Sequence, residues 1–155
     1  MAIASSTIER LRSQHESILN LTKDLEENVM RKKIVEGKWS IYENFVHLAV
    51  YQPRFVHRLS LILQEESPVF DPYIAEEDGL FREYMSLSAK EVWDRMQERR
   101  IDLLSLMEQI TPSDLKKTGT HARYGKMTLH EWIEFFLLHE AHHLFNIFML
   151  RRQLN

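Results

Sequence analysis

Residues 128–148 read TLHEWIEFFLLHEAHHLFNIF. Thr128 is followed three residues later by Glu131. In that arrangement the hydroxyl takes an orphan N–H of a first helical turn and the carboxylate reaches back to the cap. Trp132, Phe135, Phe136, Leu138, Phe145 and Phe148 then recur at helical spacing, which predicts a helix from Thr128 to about Arg152. The same start signal stands at Ser6–Glu9, Ser40–Glu43 and Ser88–Glu91, and each opens a periodic apolar run. The first run carries Ile8, Leu11, Ile18, Leu21 or Leu25, and Val29. The second covers Ser40 to about Gln64, with Pro53 inside it expected to kink or split the helix. The third covers Ser88 to Ile110. With four Gly and four Pro in 155 residues, turns are too few for a β protein. The expectation is one domain, 1–155, an all-α four-helix bundle without a sheet. The long stretch between the second and third helices serves as a crossover connection.

Composition narrows the function. Apolar residues make up 44% and charged residues 28%, the balance of a soluble globular chain. A net charge of −3 gives no overall field for nucleic acid. There is no cysteine, which removes disulfides, zinc ribbons and thiol nucleophiles. The N-terminal stretch has no basic segment followed by an apolar run, and no apolar stretch reaches membrane-spanning length. Cytoplasm is the default location and no membrane partner is expected.

Chemistry concentrates in the eight histidines. His139-Glu140-Ala141-His142-His143 is an H-E-x-x-H string, the pattern of zinc peptidases. A peptidase needs a third ligand downstream, and here the residue six past His143 is Met149. A di-iron bundle needs a second Glu-x-x-His pair, which is lacking. His139 and His143 are about 40° apart around a helix and share a face, whereas Glu140 is turned about 100° away from His139. The remaining arrangement takes its third ligand from upstream, at His47 on the second helix. The bland alternative is that each histidine is a satisfied polar residue in or beside the core. Glu43, four residues before His47, shares its face. It is expected to orient a ligand imidazole or bound water from outside the ligand set, or else simply to close the capping box with Ser40.

The segments GKWSIYENFVHL (Gly37–Leu48) and GKMTLHEWIEFFLLHEAHHLFNI (Gly125–Ile147) resemble the DinB/YfiT superfamily of metal-dependent four-helix-bundle proteins. The matching positions are Trp39, Ser40, His47, Gly125, Thr128, Leu129, His139 and His143, in order and spacing over essentially the whole chain. Two departures are Pro53 just past His47, and Asn146, where many relatives carry Gln. The resemblance implies a bundle of distinctive topology, a divalent metal on His47, His139 and His143, and a homodimer. It also implies enzymes that transfer low-molecular-weight thiols or hydrolyse small molecules.

Three neutral imidazoles leave a coordination position that can activate water or a thiol. Imidazole ligation favours zinc, with nickel or iron also suited. The expected function is that of a metal-dependent transferase or hydrolase acting on a small molecule; the alternative is a non-catalytic metal- or ligand-binding stress-response bundle. A fourth protein ligand would favour the alternative. His15, His57, His121 and His130 are candidates, with His121 first to consider although it reads as an exposed loop residue. The aromatic fourth helix carries more apolar surface than one internal stripe needs, which points again to a two-fold contact.

Overall fold

A computed structural model describes residues 3–154; Met1, Ala2 and Asn155, the ends of the expected domain, lie outside the described residues. The chain runs through α1 (Ser5–Ser13), α2 (Ser17–Thr22), α3 (Glu27–Met30), α4 (Ile41–Gln64), β1 (Val69–Phe70), α5 (Gly79–Met85) and α6 (Ala89–Gln109). It closes with β2 (Thr118–His121), β3 (Gly125–Thr128) and α7 (Leu129–Arg151). The four pillars of the bundle are the α1–α2 segment, α4, α6 and α7, and α4 packs on both α6 and α7.

The start signals of α4, α6 and α7 all close as reciprocal capping boxes, on Ser40–Glu43, Ser88–Glu91 and Thr128–Glu131. The first signal does not. Helix α1 starts at Ala4 without a side-chain cap. Nearby, Thr7 and Arg10 reach across the bundle to Glu134 of α7, at 2.7 and 2.6 Å. The expected unbroken first helix is also interrupted, by a 3-10 turn at Gln14–Glu16. There the Gln14 amide donates to the Leu137 carbonyl of α7 at 2.9 Å, and His15 is buried against Trp93 and Gln97. A left-handed Asp24 at φ 63° then turns the chain into the short α3.

Pro53 does not split α4, which continues as one helix of 24 residues. The missing proline N–H removes a single backbone bond, and flanking burial of Val50, Tyr51, Gln52 and Phe55 holds both halves in line. At the centre of the bundle lies a buried ion pair between Arg100 of α6 and Glu140 of α7. The same guanidinium donates to Gln52 Oε1 at 2.7 Å and to the Leu11 carbonyl at 2.8 Å. One side chain thus ties all four pillars, and the pairing is what makes a buried charge tolerable.

The absence of a sheet was expected, and the structure corrects it. A three-stranded sheet in the order β1-β2-β3 caps one end of the bundle. β1 runs parallel to β2, with Phe70 opposite His121. β2 and β3 form a hairpin closed at His121–Gly125, where Gly125 takes φ +85°. Gly119 lets β2 lie flat on the bundle, because a Cβ there would come within 2.8 Å of Ile62. The Trp132 indole donates to the Gly119 carbonyl at 3.2 Å, fastening the hairpin to α7. Trp132 and Phe136 of α7 face the core, whereas Leu138, Phe145 and Phe148 are 64%, 59% and 42% exposed. No described helix is long and apolar enough to cross a membrane.

Candidate metal centre

The capping box at Ser40 fixes the start of α4 and so the azimuth of His47, two turns on. The box at Thr128 does the same for α7, where His139 and His143 lie one turn apart on the face toward α4. The structure brings these three together: one ring nitrogen from each lies within 4.8 Å of the others. His47 Nε2 and His139 Nε2 are 2.9 Å apart. Two nitrogens bound tetrahedrally to one zinc ion stand about 3.4 Å apart, so this donor set fits a divalent ion with small side-chain adjustments. Without one, the two rings can share only a single proton across the gap, and the buried Nδ1 atoms of both have no hydrogen-bond partner.

Burial pushes the three imidazoles far below the usual histidine range, to about 4 for His47, about 3 for His139 and about 2 for His143. Repulsion by neighbouring imidazoles adds to the effect at each. All three are therefore neutral at pH 7, the form that binds a metal.

The residue that orients a site imidazole is one the sequence reading missed. His143 Nδ1 is 2.8 Å from Asn44 Oδ1, and Asn44 Nδ2 donates to the Ser40 carbonyl at 2.8 Å. With its amide nitrogen committed to a carbonyl, Asn44 presents only its oxygen to the ring. His143 must then carry its proton on Nδ1, which leaves the Nε2 lone pair for a ligand. Trp39 lies against the site, stacked 5.8 Å from His143 and tilted 5.0 Å from His47, with its indole N–H on Glu76 at 2.8 Å.

Glu43 lies elsewhere. Its carboxylate accepts the Ser40 backbone N–H at 2.6 Å and pairs with Lys33 at 2.6 Å. Burial alone would raise its pKa, but Lys33 and the cap bonds hold it below the usual carboxylate range. Glu140 turns away from the histidines to Arg100. Of the candidate fourth ligands, His121 is not an exposed loop residue but a buried strand residue, 4% exposed, whose Nδ1 accepts the Arg123 backbone N–H. Among the described residues only His47, His139 and His143 form a metal-compatible group.

Cavities open on two sides of the triad. A cavity of about 420 Å³ is lined by Trp39, Asn44, His142, His143 and Asn146. A smaller one of about 150 Å³ reaches His47 and His139 between Tyr51, Tyr73 and the sheet end. Tyr51 lies on the same face as His47, four residues on, and its ring centroid is 4.2 Å from that of His139.

Known proteins are similar to this chain in sequence and in fold. The family model for the DinB superfamily matches residues 10–145. A protein of Oceanobacillus iheyensis, provisionally named a metal-dependent hydrolase, is 27% identical over 133 residues, covering 83% of this chain and 74% of its own length. A Bacillus mycoides protein of the same provisional name is 25% identical over 158 residues, covering 99% and 88%. Among solved structures, YfiT from Bacillus subtilis superposes with a TM-score of 0.79 at 20% identity, over 96% of this chain and 86% of its own. YfiT is described as a probable metal-dependent hydrolase with an unusual four-helix bundle topology. The four-helix bundle protein TT2238 gives a TM-score of 0.67 at 20% identity, over 91% and 94%.

Proposed function

The chain belongs to the DinB superfamily, and from that premise we propose that it is a metal-dependent enzyme acting on a small molecule by hydrolysis or thiol transfer. His47, His139 and His143 hold the ion, with zinc the best match to three imidazoles and nickel or iron also suited. The observation that carries this reading is the convergence of three neutral imidazoles, one of them locked by Asn44 in the tautomer a ligand needs. The names of the two curated relatives agree with it.

A divalent ion held there supplies Lewis acidity and makes water or a low-molecular-weight thiol nucleophilic near neutral pH. The chain's own groups do the rest. Asn44 Oδ1 fixes the His143 proton on Nδ1. Tyr51 keeps its proton, because burial raises its pKa, and its Oη accepts from Arg58 at 3.4 Å. That leaves the Tyr51 O–H available as a donor to a substrate in the smaller cavity. Trp39, Tyr73 and Phe135 shield the rings from bulk water. The contacts of Glu43 with Ser40 and Lys33 support a helix-capping role, through which it would hold α4 and hence Asn44 and His47 in place. The absence of a fourth protein ligand among the described residues, together with a cavity against His47 and His139, favours a catalytic site over a structural metal.

The reading extends to assembly and location. The exposed Leu138, Phe145 and Phe148 suit a homodimer contact on α7, and a cytoplasmic location fits the cysteine-free composition. Light scattering at high micromolar concentration should give twice the chain mass; a monomer mass removes the dimer. The activity is tested with chelator-stripped and zinc-reloaded protein on small esters and amides, and on thiols paired with electrophiles. Turnover that returns with metal supports the reading, and no metal-dependent turnover on any of these overturns it.

A further inference from the structure

We propose that the smaller cavity is an anion pocket, in which Arg58 and Arg123 take the carboxylate or phosphate of a substrate whose reacting end faces His47 and His139. This deepens the enzymatic reading and rests on it. The cavity wall contains both arginines and not one carboxylate, in a chain whose net charge is −3.

Seven of the twelve arginines of this protein pair with a carboxylate. Arg54, one turn earlier on α4, makes a two-pronged pair with Asp78 at 2.8 and 3.1 Å. Arg10 pairs with Glu134 and Arg100 with Glu140. Among the described residues Arg58, Arg82, Arg123, Arg151 and Arg152 have no carboxylate partner, and of these Arg58 and Arg123 line the cavity. The Arg58 guanidinium is held by neutral groups only: it donates to the Asp71 backbone carbonyl at 2.7 Å and to Tyr51 at 3.4 Å, and lies 5.5 Å from the Phe70 ring centroid. Those contacts fix the fork in place and leave donors of its five N–H groups unused. Arg123 stands at the rim on the β2–β3 turn, 5.4 Å from the Tyr124 ring.

A positioned, unneutralised guanidinium beside a divalent-cation site is a two-point receptor for an anion. The volume limits what enters. About 150 Å³ is the liquid volume of about five waters, enough for one carboxylate or phosphate with a short stem. The remainder of a larger substrate lies outside the mouth, past Arg123 and Tyr124.

The test is isothermal titration of zinc-loaded and metal-free protein with malonate and, separately, inorganic phosphate. Parent, Arg58→Gln, Arg123→Gln and Lys126→Gln chains are compared, with zinc content measured on each. Lys126 is an exposed strand residue outside the cavity and controls for net charge. We expect one anion per chain, a loss of about tenfold or more for either arginine variant, and a change within about twofold for Lys126→Gln. The metal-free protein should show the same arginine dependence at weaker affinity. The better-bound probe identifies carboxylate or phosphate as the recognised group. Arg123→Gln, on the exposed rim, keeps the test valid should Arg58→Gln fold poorly. Equal affinity in parent and arginine variants at equal zinc content overturns the anion pocket and leaves the metal site standing. Failure to take up zinc overturns the metal reading, and the arginine dependence of the metal-free protein then decides the pocket alone.

Discussion

Replacing Asn44 with Leu removes the acceptor that holds the His143 proton on Nδ1 while nearly preserving side-chain volume. Asn44 is 2% exposed, and leucine offers no acceptor in place of the lost oxygen. Two polar groups then lose their partners, His143 Nδ1 and the Ser40 carbonyl, which in the parent lie 2.8 Å from the two ends of the amide. A buried orphan costs about 1–3 kcal/mol, and the Ser40 carbonyl keeps its helical bond from Asn44 N at 3.2 Å. The metal-free protein should therefore lose about 1–3 kcal/mol in urea unfolding. Metal affinity should fall about 10–100-fold, the usual result of removing the partner of a ligand imidazole. The assay is competition for zinc against a chromophoric chelator, with the urea experiment run on the same metal-free samples. Asn44→Asp, which keeps an acceptor facing His143, should retain more affinity than Asn44→Leu. If Asn44→Leu binds zinc as tightly as the parent, the tautomer argument is wrong.

Other expectations follow from the same contacts. Glu43→Gln can still close the capping box and loses only a pair to a lysine that is 57% exposed; stability should change by less than about 1 kcal/mol, with metal content and turnover unaltered. Slower turnover at unchanged metal content would instead return Glu43 to the site. Arg100→Met leaves the Glu140 carboxylate buried without its partner and should cost about 3–5 kcal/mol in urea unfolding; a loss below about 1 kcal/mol would contradict the bracing role. In the metal-free protein, His47 at about 4 and His139 at about 3 bind protons less readily than the unfolded chain, whose value is 6.5. Stability should be full above pH 6.5 and fall as pH drops from 6.5 toward 4, at up to about 1.4 kcal/mol per pH unit per site. Urea midpoints that stay flat across that window would contradict the burial of the triad.

What the sequence made legible was local. The three capping boxes at Ser40, Ser88 and Thr128 bind within one turn, so helices α4, α6 and α7 begin where spacing places them. The first box failed because α1 already begins at Ser5, which puts Ser6 inside the helix, and Glu9 pairs with Arg12. Thr7 and Arg10 of the same turns bind Glu134, more than a hundred residues away, and spacing carries no trace of that. The sheet was missed for a similar reason: β1 has two residues and pairs with a strand some fifty positions later. The hairpin had a readable signal in Gly125, which takes the left-handed conformation of a turn. At the site, one-turn spacing placed His139 and His143 on a shared face and drew Glu43 toward His47. It could not show that Asn44 serves His143, because that bond crosses from α4 to α7. Tyr51 was available by the same four-residue step from His47. Arg58 was not, since its role depends on what fails to pair with it.

The central claim is that His47, His139 and His143 hold one divalent ion. Elemental analysis of protein purified without an affinity tag, dialysed and reloaded with zinc, tests it most directly when run beside His139→Ala and His143→Ala. The account predicts one zinc per parent chain and close to none in either variant at equal folded fraction. Stoichiometric zinc that survives both substitutions, or a folded parent chain that retains none, would contradict it.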